Sequence, residues 1–525
     1  MSSSDGETRW SSGNDTSFPA TQDIRRFYAP IAPGAPPSEA PGRRRDAYDA
    51  VVVGAGVSGL YAALQLAQRG QRVLVLERQR RVGGRVLTER VLGHTLEYGP
   101  MRFEPQLQPR FARLVCNELG LCCTTFAPYT CCADLPDLNK VAPEEVAVIH
   151  AARGVLAPAF ALLAHALGCV LGEQWDVAHD DAASPGRDAR KAWLRRHGTF
   201  QGRPLRAHGL WDTLAHVLSK AALDFLQQRG TFYHILHLNP NAADSISFML
   251  DVLVTARASL VSVEGGFQRV VDALMARLVE QPSAHIRLGA AVAELCCTAP
   301  GKPVAVKVLL EDGSRISARR VLLTGQQARV QALRGMPSEL QPLLASVMLV
   351  RLFKIFAILE DPPFDDVTVP QPNFGADKLP CREIHYSYCC ETKTGMVMIY
   401  GDEPSLHYWS PFVRRCDAGD EGAAQSNANS HLKHHLNFYL RAIFGWSPLG
   451  AAAPFSIVHY GILDWSCDST GVHQWRPGFC SEAVMSRLAQ GARSVHVCGE
   501  TYSTCQGFIE GGLRAVDAAL ASFDV

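Results

Sequence analysis

The chain has 525 residues, of which 47% are hydrophobic and only 19% charged, and its 51 basic and 51 acidic residues leave a formal net charge of zero. That apolar share supports large cores and excludes wholesale disorder, while neutrality gives no global pull toward nucleic acid or an acidic membrane surface. The length suits about two to four domains, or two assembled from interleaved segments.

Residues 1–46 are rich in Ser, Gly, Pro and Asp and end in APGRRRDA, which predicts a disordered leader. Arg43, Arg44 and Arg45 read as a solvated charge run ahead of the first strand. The first residues lack a basic stretch followed by an apolar one, so they do not read as a secretory signal. No apolar run reaches the roughly 18 residues that span a bilayer. These features predict a cytoplasmic protein without a membrane partner. Among sixteen cysteines, eight stand in four adjacent pairs (122–123, 131–132, 296–297 and 389–390), and none has zinc-ligand spacing. They read as small buried hydrophobes, and no metal site is expected.

From Tyr48 the character changes. Tyr48–Val53 is a β-rich apolar run that meets Gly54 directly, and it predicts a buried parallel strand. Val57 to Arg69 has helical apolar spacing and closes at Gly70, and Arg72 to Leu76 is a second short strand. Residues 105–255 are mostly helix-like, with a polar, basic insert at 174–206 that reads as a loop or mobile segment. An amphipathic helix follows Gly265-Gly266, and strands are expected at Ile286–Leu288, Val304–Leu310 and Arg320–Thr324, with a hairpin turn at Asp312-Gly313. Further strands fall within 345–361 and 382–401, and residues 494–523 read as strand, loop and helix.

The first β-α-β unit carries chemistry. Gly54-Ala55-Gly56-Val57-Ser58-Gly59 is G-x-G-x-x-G between a strand and a helix, and Glu77 ends the next strand. Gly54 serves the tight turn, Gly56 admits a pyrophosphate, and Gly59 brings helix and strand together. The helix N-terminus faces phosphate, and Glu77, beside Arg78, can accept ribose hydroxyls, which favours FAD or NAD over NADP. Gly83-Gly84-Arg85 then supplies a second glycine-rich loop with a cation.

With the run Leu96-Glu97-Tyr98-Gly99-Pro100-Met101-Arg102-Phe103 the sequence resembles the flavin amine oxidase family, most closely its L-amino-acid oxidase branch and the L-tryptophan oxidases of violacein biosynthesis. The tail Gly499-Glu500-Thr501-Tyr502, followed by Gly507-Phe508-Ile509-Glu510-Gly511-Gly512, is similar to the family's closing flavin motif. The resemblance implies an α/β fold: a Rossmann-like FAD-binding domain (47–104, 256–335 and 456–525) interleaved with an α+β substrate domain (105–255 and 336–455). It implies non-covalent FAD held by Gly54 to Gly59, Glu77, Arg78, Gly83, Gly84, Arg85, Gly99 to Arg102, Val292, Gly499, Glu500 and Gly507 to Ile509.

It further implies that Arg102, with Tyr400, binds a substrate carboxylate, because a guanidinium matches that group with two parallel hydrogen bonds. Lys354 matches the family lysine that holds a water at the flavin. The aromatics Tyr408, Trp409 and Trp465 are candidate walls for the side chain. The activity implied is oxidation of a large L-amino acid to its α-imino acid, with dioxygen reduced to hydrogen peroxide. Amine or polyamine oxidation, an amino-acid 2-monooxygenase and an inactive FAD-binding scaffold stand as alternatives, and a homodimer stays open.

Overall fold

The structure is a computed structural model. It describes residues 47–126, 135–229, 238–255, 260–298, 305–365, 383–412, 425–426, 430–445, 455–465 and 471–523. The leader 1–46 and the arginine run lie outside these residues.

Two sheets organise the chain. The first has seven strands, and Tyr48–Val53, fully apolar at its centre, runs through its middle. Tyr48–Val53 pairs in parallel with Val73–Leu76 on one side and with Arg315–Leu323 on the other. Ala284–Arg287 extends the parallel set beyond Val73–Leu76, and Val495–Val497 adds to it at Arg315–Leu323. Val292–Cys297 and Val306–Leu310 continue it as antiparallel strands, and the expected turn at Asp312-Gly313 joins Val306–Leu310 to Arg315–Leu323. One sheet thus gathers strands from both ends and the middle of the chain. The central parallel strands are buried on both faces, which explains the unbroken runs Val51–Val53 and Val73–Leu76. The helices Val57–Gln68, Gln268–Val279 and Ile509–Ala521 lie together on this sheet.

The second sheet has five strands in the order Glu383–Cys389, Thr394–Asp402, Leu352–Glu360, Ser456–Asp464 and Gln425–Ser426. Ser456–Asp464, expected in the nucleotide-binding part from residue 456, instead belongs here. Alternate residues of this sheet face opposite ways. One face, with Phe353, Ile355, Val397 and Ile399, packs on Leu432, Leu436 and Leu440 of the helix Ser430–Ile443. The other, with Phe356, Ile358, Met398 and Leu463, packs on Leu96, Tyr98 and Met101.

The helical middle forms its own core around Phe160, Leu163, Leu167, Trp211, Leu214 and Leu250. Within the insert 174–206, the structure overturns the expectation of a loop. Residues 187–197 form a helix, and Thr199–Phe200 pairs with Arg203–Pro204. Three of its basic residues, Arg187, Lys191 and Arg195, are buried because each meets a carboxylate. Arg187 pairs with Asp180 at 2.8 Å and also with Asp251, Lys191 reaches Asp251, and Arg195 reaches Glu482 at 2.7 Å. Polarity suggested solvent, whereas ion pairing made burial tolerable. The cysteine reading also fails: among the described residues Cys498 is buried, but Cys116, Cys122, Cys169, Cys296 and Cys390 are exposed. Among the described residues, no helix is long and apolar enough to cross a membrane.

Candidate active site

The glycine-rich turn is built as its spacing requires. A Cβ on Gly59 would lie 1.9 Å from the carbonyl oxygen of Gly54, so helix and strand approach more closely than any side chain permits. Gly54 itself has φ of +110°. The second loop closes on the first: the Gly83 amide donates to the Ala55 carbonyl at 2.8 Å, and a Cβ on Gly84 would stand 3.2 Å from the Gly56 Cα. Glu77 ends its strand beneath the turn, where it accepts the Ala55 amide at 2.7 Å and the Gln79 amide at 2.8 Å. The Ala290 amide donates to the Glu77 carbonyl at 2.8 Å, which brings the segment leading into Val292 beside that acid. Arg78 is half-buried next to it.

No side chain caps the helix that begins at Val57, so its first amides point out over bare glycine backbone. These residues fit a dinucleotide such as FAD: amides and a helix dipole for the pyrophosphate and an acid for the ribose.

The chain's two ends meet at Arg85. Its guanidinium donates to Glu500 at 2.6 Å and to the Gly471 carbonyl at 2.6 Å. Glu500 also accepts the Gly507 amide at 2.5 Å. Burial alone would raise the Glu500 carboxyl, but Arg85, with His473 and that amide, holds it down at about 2. Glu500 therefore stays a carboxylate and fixes Gly499 to Gly507 against the second glycine loop. Gly511 and Gly512 let the last helix pack closely, since a Cβ on Gly512 would meet Ser58 Oγ at 2.3 Å.

A cavity opens beside this junction, lined among others by Gly99 to Arg102, Phe111, Phe267, Lys354, Tyr400 and Gly507 to Ile509. The second sheet aligns the key residues, because Tyr400 is in register with Lys354 on one neighbour and with Glu383 on the other. All three stand in one row across three strands. Lys354 is 2% exposed, and its Nζ donates to the Glu97 carbonyl at 2.9 Å and to the Gly99 carbonyl at 2.6 Å. The ammonium lies 4.7 Å from the centre of the Tyr400 ring. Burial draws Lys354 down to about 7 despite the opposing charge of Glu97. Burial likewise lifts the Glu97 carboxyl to about 7, although Phe267 and Thr88 donate to it.

Arg102 lines the cavity and is buried, but it is already engaged. Its Nη2 pairs with Glu383 at 2.7 Å, and Glu383 Oε1 also lies 2.6 Å from His385 Nε2. The Phe126 ring stands 5.5 Å from the guanidinium. Glu383 and His385 received no role from the sequence. Their signal was two ionisable residues at alternate positions of the strand Glu383–Cys389, hence on one face, which the structure buries. Glu97 lay inside the run already singled out, yet its burial could not be read there.

Two aromatic candidates separate. Trp465 is half-buried against the Lys354 face of the sheet, and its indole donates to the Tyr98 carbonyl at 2.9 Å. Trp409 is fully buried on the opposite face, among Leu432, Leu436 and Tyr439. The expectation that Trp409 walls the substrate is therefore corrected, since an intervening sheet divides it from Lys354. Tyr408 is exposed beside it.

The family model for flavin-containing amine oxidoreductases matches residues 57–520. Putrescine oxidase of Kocuria rosea is 27% identical over 356 residues, covering 63% of this chain and 68% of that protein. The L-amino-acid oxidase of Mus musculus is 43% identical over 81 residues, which is 15% of this chain and 12% of its own length. That of Sistrurus catenatus edwardsii is 56% identical over 71 residues, 14% and 13% of the two chains. These two matches thus span only a small part of the relatives concerned. Among solved structures, wild-type putrescine oxidase bound to putrescine superposes with a TM-score of 0.60 at 17% identity, covering 91% of this chain and 99% of that one. That likeness speaks to the fold.

Proposed function

The chain belongs to the flavin-containing amine oxidoreductases, and from that premise we propose that it oxidises an L-amino acid with a large, aromatic, L-tryptophan-like side chain. The products are the α-imino acid and, from dioxygen, hydrogen peroxide. One observation carries the reading: a buried guanidinium, Arg102, shares a cavity wall with Lys354, Tyr400 and the Gly507–Ile509 turn. Bound FAD, held non-covalently, supplies the hydride acceptor and its reoxidation by dioxygen.

The chain's own residues divide the remaining work. Arg102 and Tyr400 bind the carboxylate and so fix where the α-carbon stands, which is catalysis by position. Lys354 handles a proton. Near neutral pH it is poised between its two states, and a neutral amine can keep both carbonyl bonds with its two N–H groups while its lone pair accepts a proton. Apolar walls from Phe111, Phe267 and Phe508 keep water from the reacting carbon.

A second reading is favoured by the Arg102–Glu383 ion pair. A guanidinium already neutralised by a carboxylate suits an amine substrate that carries none. Peroxide release with the twenty L-amino acids, set against putrescine, spermine and benzylamine, tests both. Turnover of L-tryptophan or L-phenylalanine that falls sharply in Arg102→Ala supports the first. Turnover of amines alone overturns it and supports the second.

A further inference from the structure

Outside the site, two thiols stand in contact. Cys116 lies in the π-helical turn Arg113–Glu118, and Cys123 opens the strand Cys123–Phe126. Their sulfurs are 3.9 Å apart. A disulfide needs about 2.05 Å, so the two sulfurs must draw closer than their present contact for the bond to form. Cys116 is exposed and Cys123 half-buried, so one is open to a dissolved reagent while the other is held by the fold. The backbone around them is pinned. The Leu119 amide donates to the Leu114 carbonyl at 2.8 Å, the Leu121 amide to that of Val115 at 2.9 Å, and the Glu264 amide to that of Cys122 at 3.0 Å. Cys123 itself stands in ladder register with Val263.

We propose that Cys116 and Cys123 form a dithiol site that hydrogen peroxide converts to an intramolecular disulfide. The Cys116 thiolate attacks one peroxide oxygen and the O–O bond breaks. This leaves a sulfenic acid on Cys116, and the departing hydroxide takes up a proton to become water. The Cys123 sulfur then attacks the Cys116 sulfur. The S–O bond breaks, the S–S bond forms, and a second water leaves with the Cys123 proton. Two thiols give up two electrons and the peroxide takes both. The order of attack follows exposure. Burial, with Cys116 alongside, pushes the Cys123 thiol up to about 12, so Cys123 does not ionise first. The strand that Cys123 opens ends at Phe126, whose ring stands 5.5 Å from the guanidinium of Arg102, a residue of the cavity wall, and 5.8 Å from the His385 ring. The inference does not depend on which amine the enzyme oxidises.

The test treats the full-length, flavin-loaded protein with hydrogen peroxide, blocks remaining thiols, and digests after Arg113 and Glu118. Cleavage at Glu118 puts Cys116 and Cys123 in separate peptides. The expected result is a pair of peptides joined until reduction, with fragmentation placing the downstream bond on Cys123 and with alkylation of both thiols lost together. Cys116→Ser should abolish the joined species and return Cys123 to full alkylation, whereas Cys122→Ser should leave it intact. Over-oxidation of Cys116 with no joined peptide, a bond through Cys122, or unchanged alkylation of both thiols would each overturn the proposal.

Discussion

Arg102 Nη2 and Glu383 Oε1 stand 2.7 Å apart, and each side chain is only 4% exposed. Burial would raise the Glu383 carboxyl, but Arg102 first, then His385, holds it at about 2, so the pair is ionic. Removing one partner of such a pair costs about 3–5 kcal/mol, because the other is left charged and uncompensated. Glu383→Gln is therefore expected to lower stability by about that amount. A ligand carboxylate that reaches Arg102 restores the missing charge. Benzoate should then raise the Tm of Glu383→Gln by more than it raises that of the wild type. Equal shifts in the two melting curves would mean that a carboxylate in the cavity does not meet this guanidinium.

Lys354 gives a pH signature. Its folded value of about 7 lies below the ordinary 10.5, and burial is the main cause. If its neutral amine takes the proton, kcat/KM should rise with pH through about 7. Lys354→Met should remove that limb and lower kcat/KM by about 10²–10⁴-fold. The sign for stability follows from proton counts. Between about 7 and 10.5 the unfolded chain holds the lysine proton and the folded chain does not. Stability contributed through this group therefore increases with pH over that window, and the burial penalty is fully felt below it. Urea midpoints measured across the window should show the rise in wild type and its loss in Lys354→Met.

Legibility in the sequence followed range. The turn from Gly54 to Gly59, the helix behind it and Glu77 were readable because the whole unit is local and its spacing is set by backbone geometry. The rows of the second sheet were not. Nothing in the order of residues says that Glu383, Tyr400 and Lys354 share one level, since their register is fixed by packing on both faces. The same cause hid the burial of Arg187 and Lys191, whose partner Asp251 comes some sixty residues later. It also hid the division between Trp465 and Trp409, which depends on which side of a strand each neighbouring segment covers.

Gly59→Ala probes the turn. The new Cβ would press on the Gly54 carbonyl, and both contacts nearest to it are backbone atoms that cannot rotate away. Overpacking of this kind costs about 1–3 kcal/mol, and here the strain falls on the turn that faces the pyrophosphate. The variant is expected to purify with a lower flavin-to-protein absorbance ratio and to regain flavin only at higher added FAD. Full flavin content at wild-type affinity would remove the turn from the cofactor site.

Trp409 makes the opposite case. Its indole is fully buried and stands 5.2 Å from the Tyr408 ring and 5.3 Å from that of Tyr439, on the face of the sheet away from Lys354. Truncating a buried tryptophan leaves a cavity and costs about 3–5 kcal/mol. Trp409→Ala should therefore lose stability on that scale in denaturant titration while keeping the KM of the wild type at temperatures well below its transition. Tyr400→Phe should do the reverse, with stability nearly kept and KM raised, because that hydroxyl belongs to a residue of the cavity wall. A Trp409→Ala variant that keeps its stability but changes KM would place the indole in the substrate's path, and would require the sheet to open between it and Lys354.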